Sequence, residues 1–285
     1  MADAQAVAVG AFDRDTAVQL ESQDGATRRF SAVVAEGWRA GPGPHGGYLS
    51  ALLLRALMES VGDPQRSPRS LTIHFLSPPH PGPAQVTTTI EREGRSLSSL
   101  SARMEQDGKL VALVLAAFSS PWPGSDISEI EMPSVAPPDP GREPGTLIVQ
   151  NGPEFARHIT LQRRLGGMPF ADPSQPMETG GWLGLAEPRP IDALSLAFFC
   201  DALIPTPFMR ATQPEPAPTV DITIHFRAVT PRSEHPDPEE LCLARVRGGL
   251  IHEGFFEEDT LIWASDGTLL AQSRQLALML QLPSQ

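Results

Sequence analysis

Apolar and polar positions alternate over many short stretches of this chain, and only two stretches shift to a helical period. Leu71-Thr72-Ile73-His74-Phe75 is a β-branched run of period two. It recurs 151 residues later as Ile222-Thr223-Ile224-His225-Phe226. Ahead of the first copy, Phe12 to Leu20 and Thr27 to Val34 read as strands about the turn Asp24-Gly25. A helix is expected from Tyr48 to Val61, with Leu49, Leu52, Leu53 and Ala56 as one stripe and Leu54 and Leu57 widening it. Gly62-Asp63-Pro64 is its stop signal. So apolar a helix is expected to be wrapped by a sheet. Three antiparallel strands follow, Leu71 to Leu76, Ala84 to Glu93 and Leu97 to Glu105, and Asp107-Gly108 turns the chain into Lys109 to Phe118.

The second copy has a similar setting. Phe155 to Leu165 and Gly181 to Ala186 read as strands, and Asp192 caps a helix running to Ile204, ended by Pro205. Thr219 to Arg227, Glu240 to Arg247, Ile251 to Ala264 and, after Asp266-Gly267, Leu269 to Leu280 complete the strands. The matching order of helix, strand, loop and Asp-Gly strand predicts one structural unit used twice. Between the copies, Ser119 to Gly145 holds seven prolines, Pro144 among them, and reads as a linker without a packed element. The expected organisation is an α+β fold of residues 1–120, a proline-rich linker 121–147, and residues 148–285.

Composition narrows the function. With 285 residues there is ample core. A formal net charge of -12 without basic clusters excludes nucleic acid as a partner. No basic and apolar leader is visible from Met1 to Asp15, and the apolar stretch Tyr48 to Met58 is too short to span a bilayer and carries Arg55. Two cysteines, Cys200 and Cys242, fit a reducing, cytoplasmic setting and read as buried small hydrophobes.

Several positions are candidates for chemistry. Gly41-Pro42-Gly43-Pro44-His45-Gly46 is a literal GxGxxG, but Pro42 and Pro44 lack the N–H groups of a phosphate cradle, and no parallel βαβ unit surrounds it. Gly46 and Gly47 instead bare the start of a helix, where a substrate carbonyl could meet backbone amides. Asp201 falls on the apolar face set by Leu194, Ala197 and Phe198, near the end of its expected helix, where the dipole disfavours a carboxylate. A buried acid there would have a raised pKa. Gln275 lies on the strand face of Ala271, Ser273 and Ala277, and Thr219 opens the repeated strand. Laying one half over the other matches Thr219 with Pro68 and Gln275 with Ala116, and the first helix carries no acid before Glu59. Polar groups kept in one half predict one active site per chain. No GxSxG elbow, Walker A sequence, HExxH or Cys/His metal spacing occurs. His74 and His225 recur within the repeated strand and are ascribed to the fold.

The chain resembles the double-hotdog acyl-CoA thioesterases of the thioesterase II and thioesterase-like group. The resemblance rests on Gly46-Gly47-Tyr48, on Leu71 to Phe75 followed by Pro78-Pro79, and on Gly181-Trp182-Leu183. It rests also on Phe199-Cys200-Asp201-Ala202, Thr219-Val220-Asp221 and Ser273-Arg274-Gln275. It implies two hotdogs in tandem, each a long helix wrapped by an antiparallel sheet, with the sheets joined edge to edge. It implies hydrolysis of fatty acyl-CoA without a metal, a retained cofactor or a covalent intermediate, and a water activated by Asp201, Thr219 and Gln275. Gly46, Gly47 and Tyr48 are the implied substrate-binding positions. The prolines around Pro205-Thr206-Pro207 and from Gln213 to Pro218 depart from the thioesterase II pattern. Two rivals stay open: a non-catalytic acyl or acyl-CoA binding protein on the same fold, and an enoyl-CoA hydratase, for which no His follows Asp201 in a short motif. Assembly into a homodimer or higher oligomer is left open.

Overall fold

A computed structural model describes residues 9–141 and 152–280. The expected linker boundary at 147/148, Pro144 and Gly145, and the residues from Met1 to Ala8 lie outside the described residues. The first half holds α1 (Ala11–Asp15), α2 (Gly46–Val61) and the strands β1 (Val18–Asp24), β2 (Thr27–Val34), β3 (Arg39–Ala40), β4 (Gly43–Pro44), β5 (Ser67–Phe75), β6 (Gly82–Glu93), β7 (Leu97–Gln106) and β8 (Lys109–Ser119). The second holds α3 (Ala193–Phe199) and the strands β9 (Ile159–Gly166), β10 (Glu178–Leu185), β11 (Thr219–Phe226), β12 (Cys242–Arg247), β13 (Ile251–His252), β14 (Phe255–Trp263) and β15 (Leu269–Leu278).

One antiparallel sheet runs through both halves in the order β1-β2-β6-β7-β8-β5-β11-β15-β14-β12-β10-β9. Read outward from the β5–β11 seam, the two sides are the same series of six strands. At the seam the repeated motif pairs with itself. Thr72 faces Thr223, Leu71 faces Ile224 and Ile73 faces Ile222, so a pseudo-two-fold axis passes between the two threonines. Their hydroxyls are 3.1 Å apart. The same register links Leu71 to Ala116 in β8 and Ile222 to Gln275 in β15. A bulge recurs as well, between Pro68 and Ser70 on one side and Thr219 and Asp221 on the other. These registers agree with the matches Thr219–Pro68 and Gln275–Ala116 drawn from the sequence.

Both larger helices lie against the sheet and against each other. In α2, Leu52, Leu53, Leu54 and Leu57 are wholly buried, each contributing roughly 1.5–3 kcal/mol. Gly62 ends the helix in the left-handed region, φ 64°. The second helix is not long. It spans seven residues and stops at Phe199 rather than Ile204. Its start is as expected, with Asp192 and Ser195 forming a reciprocal cap.

Three further expectations change. Phe12 to Leu20 is not one strand, because α1 precedes β1; Asp13 of α1 pairs with Arg55 and Arg189, contacts that lie far off in sequence. Phe155 lies in a 3₁₀ turn, Glu154–His158, before β9. Ile251 to Ala264 is interrupted by Glu253 (φ 51°) and Gly254 (φ 77°), two positive-φ residues that make a tight hairpin. The linker is irregular, as its prolines require, yet it packs: Met132 and Val135 lie against Trp182, Leu241 and Leu243. The Trp182 indole N–H donates to the Ala136 carbonyl at 2.8 Å. Among the described residues, no helix is long and apolar enough to cross a membrane, and no group of three His, Cys, Asp or Glu could hold a metal.

Candidate active site

The Gly41–Gly46 stretch is not a phosphate loop. It is a two-strand turn, β3 against β4, that delivers His45 to the start of α2. His45 caps that helix: its Nδ1 accepts the Tyr48 N–H at 3.4 Å. Nε2 therefore carries the proton and donates to the Asp201 carbonyl at 2.9 Å. Burial pushes the imidazole pKa down to about 3, so the ring is neutral. It stacks on Phe155, centroids 3.9 Å apart.

Asp201 stands in the turn that ends α3. The Cys200 carbonyl accepts the hydroxyls of Thr260 at 3.3 Å and Ser273 at 3.5 Å, and the backbone tightens to i→i−3 bonds at Asp201 and Ala202. The Asp201 side chain, 12% exposed, leaves its own helix and crosses to the other half. There Oδ2 accepts the Gly47 N–H at 2.8 Å, at the positive end of α2. The Gly47 amide expected to meet a substrate carbonyl is thus engaged by a carboxylate. Burial raises the Asp201 pKa to about 7, against the opposing pull of the Gly47 N–H and the Gln275 amide.

Both glycines are needed for this approach. A Cβ on Gly46 would lie 2.8 Å from Asp201 Oδ2, and one on Gly47 would collide with the Phe198 carbonyl oxygen. Tyr48 turns elsewhere. Its ring is wholly buried beside Trp38, and its hydroxyl accepts from Ala35 N at 3.0 Å and meets the carbonyls of Asp15 at 2.8 Å and Val33 at 3.2 Å. Of the three expected substrate positions, Gly46 and Gly47 stand beside Asp201, while the Tyr48 side chain holds α2 to the first strands.

Thr219 opens β11, and Gln275 faces inward on β15 with Ala271, Ser273 and Ala277. The Thr219 hydroxyl donates to Gln275 Oε1 at 3.2 Å. Gln275 Nε2 donates to Glu258 Oε2 at 2.5 Å. Asp201, Thr219 and Gln275 are therefore gathered in one polar cluster. His45 and Glu258 join it, two residues that the sequence does not single out. Glu258 lies in the acidic run Glu257-Glu258-Asp259 of the expected strand; the alternation Phe256, Glu258, Thr260, Ile262 is the signal that turns it inward. His45 carries one signal too, its place just before the helix, where a cap is needed.

Burial raises the thiols of Cys200, to about 12, and of Cys242, so both rest as inert hydrophobes. Two surface concavities, one by Arg232 and Asp266 and one by Gln85 and Gln106, include none of the cluster.

Comparison with known proteins gives this arrangement a setting. An uncharacterised protein of Mycobacterium tuberculosis (strain H37Rv) is 27% identical over 91% of this chain and 94% of its own length. A thioesterase-like protein of Talaromyces wortmannii is 24% identical over 93% and 91%. A hot dog fold protein of Alicyclobacillus acidocaldarius superposes with a TM-score of 0.83 at 28% identity, covering 97% of this chain and 100% of its own. An acyl-CoA thioesterase II of Mycobacterium marinum shares the fold, TM-score 0.69 at 18% identity, over 97% and 99%. Residues 34–119 match the family model of the acyl-CoA thioesterase N-terminal domain, and residues 131–279 match that of the C-terminal domain. Together with the twinned sheet, these matches make the chain a member of the acyl-CoA thioesterase family, built as a tandem hotdog.

Proposed function

We propose that the protein hydrolyses fatty acyl-CoA to free acid and CoA through a water activated by Asp201, Thr219 and Gln275. The observation that carries this reading is the reach of Asp201 across the two halves to the Gly47 amide, 2.8 Å away, beside the Thr219–Gln275 pair. A general base works best with a pKa near the operating pH, and burial brings Asp201 to about 7. Asp201 takes a proton from water while Thr219 and Gln275 hold that water for attack. The thioester carbonyl approaches Asp201 beside Gly46, where the positive end of α2 favours the developing negative charge. The tetrahedral intermediate then expels CoA thiolate. CoA acts as substrate, and the step needs no covalent enzyme intermediate. On this reading residues 148–285 carry the reacting groups and residues 1–120 supply the helix start.

A free-thiol assay over a series of acyl-CoA chain lengths tests the proposal, with Asp201→Asn alongside. The expected result is turnover by the wild type and a loss of roughly 10²–10⁴-fold in the variant, with acyl-CoA binding retained. Saturable binding without thiol release at every length would favour a binding protein instead. Wild-type rates in Asp201→Asn would overturn the assignment of the base.

A further inference from the structure

Glu258 is 3% exposed on the inward face of β14. A buried carboxylate is costly unless it is hydrogen-bonded, and among the described residues no cationic side chain is paired with this one. The fold itself does not ask for an acid there. Glu258 faces Gln275 across β14–β15, as Leu100 faces Ala116 across β7–β8. Leu100 is therefore its twin, buried and apolar.

The carboxyl has two donors. The Thr206 N–H reaches Oε1, and Gln275 Nε2 reaches Oε2 at 2.5 Å. When Glu258 is ionised it can only accept, and the end of the Gln275 amide that faces it is then the NH₂. Its Oε1 is thereby left to Thr219, whose hydroxyl donates to it at 3.2 Å. Having spent its hydrogen, Thr219 Oγ1 offers a neighbouring water only lone pairs. A water that donates one hydrogen to Thr219 and the other to Asp201 has its own lone pair free for attack. Were the amide flipped, its NH₂ would face Thr219. The hydroxyl would then turn its hydrogen on the water and occupy that lone pair.

We propose that Glu258 is a positioning residue of the hydrolytic site, fixing the orientation of the Gln275 amide and so making Thr219 an acceptor towards the attacking water. The inference rests on the hydrolytic reading of Asp201, Thr219 and Gln275 given above. Donors run in one direction, from water to Thr219 to Gln275 to Glu258, with the second hydrogen of the Gln275 NH₂ turned to Asp201, which takes the water's other hydrogen.

Glu258→Gln is the sharpest test because it preserves shape. Its amide must turn an NH₂ either on the Thr206 N–H or on the Gln275 NH₂, and the second clash is relieved by flipping Gln275. The expected result is a fall in kcat of roughly 10–100-fold, the scale of a mispositioned reacting group, with KM within about twofold of wild type. In a Gln275→Ala background the same substitution should lower kcat no further. Glu258→Leu, the residue of the twin strand, is expected to fold, bind acyl-CoA and show the same kcat loss. Wild-type kcat in Glu258→Gln, or losses that multiply in the double variant, would overturn the proposal. So would unfolding of both Glu258 variants, which would assign the acid to the fold. A failure of the hydrolytic reading itself would look different, since Asp201→Asn would then turn over normally.

Discussion

The Gly47 N–H donates to Asp201 Oδ2 across 2.8 Å, and this bond joins the start of one helix to the turn that ends the other. It holds the proposed base ionisable within reach of neutral pH. Burial raises Asp201 to about 7, and burial likewise raises Glu258 to about 7, aided by the Asp201 charge and opposed by the Thr206 and Gln275 donors. The base must be ionised to work, so kcat/KM is expected to rise with pH through about 7. A pH profile measures this, and its acid limb reports the coupled pair rather than either residue alone. An acid limb at the ordinary aspartate range would contradict the role given to Asp201.

Stability should run the opposite way. Both carboxyls hold their protons more tightly folded than unfolded, their ordinary values being 3.8 and 4.5. The native state then binds more protons, so their contribution to stability is present below about pH 4 and is lost as pH rises through about 7. Asp201→Asn keeps an acceptor for the Gly47 N–H and removes one of the two buried charges. Its melting temperature is expected to exceed that of wild type at pH 8 and to match it near pH 4. Thermal melts of both proteins across that range check the sign; a variant less stable at pH 8 would refute it.

The two glycines at the start of α2 are expected to separate by substitution. Gly47→Ala drives a methyl into the rigid Phe198 carbonyl, an overpacking cost of roughly 1–3 kcal/mol. Gly46→Ala meets the Asp201 carboxylate at 2.8 Å, a side chain that can swing aside. Its penalty should fall on kcat more than on unfolding free energy. Denaturant titrations paired with thiol-release kinetics distinguish the two outcomes.

Tyr48 is expected to matter to the fold and little to the reaction. Tyr48→Phe strands the Ala35 N–H, a loss of roughly 1–3 kcal/mol, while KM for acyl-CoA should stay within about twofold of wild type. A large rise in KM without destabilisation would return Tyr48 to the substrate.

Most of this architecture can be read from the chain because its signals are local. The repeated strand Leu71 to Phe75 and Ile222 to Phe226, the Asp-Gly turns and the period-two runs mark the strands, and Asp201 betrays itself by sharing a face with Leu194 and Phe198. What cannot be read is set by distant contacts. The run from Ala193 to Ile204 has no stop before Pro205, yet α3 ends at Phe199, where Thr260 and Ser273 bind the Cys200 carbonyl. Composition marks the linker as lacking a packed element, but not that Met132 and Val135 cover Trp182. Glu258 needs the strand alternation and the hairpin register together before it can be placed beside Gln275.

The self-pairing of Thr72 with Thr223 has a genetic consequence. Two identical subunits meeting about such an axis must repeat every change on both sides. Here one continuous chain encodes both sides, so Pro68, Leu100 and Ala116 can stay apolar where their counterparts Thr219, Glu258 and Gln275 are polar. Division of labour becomes available to a shape that would otherwise enforce equality.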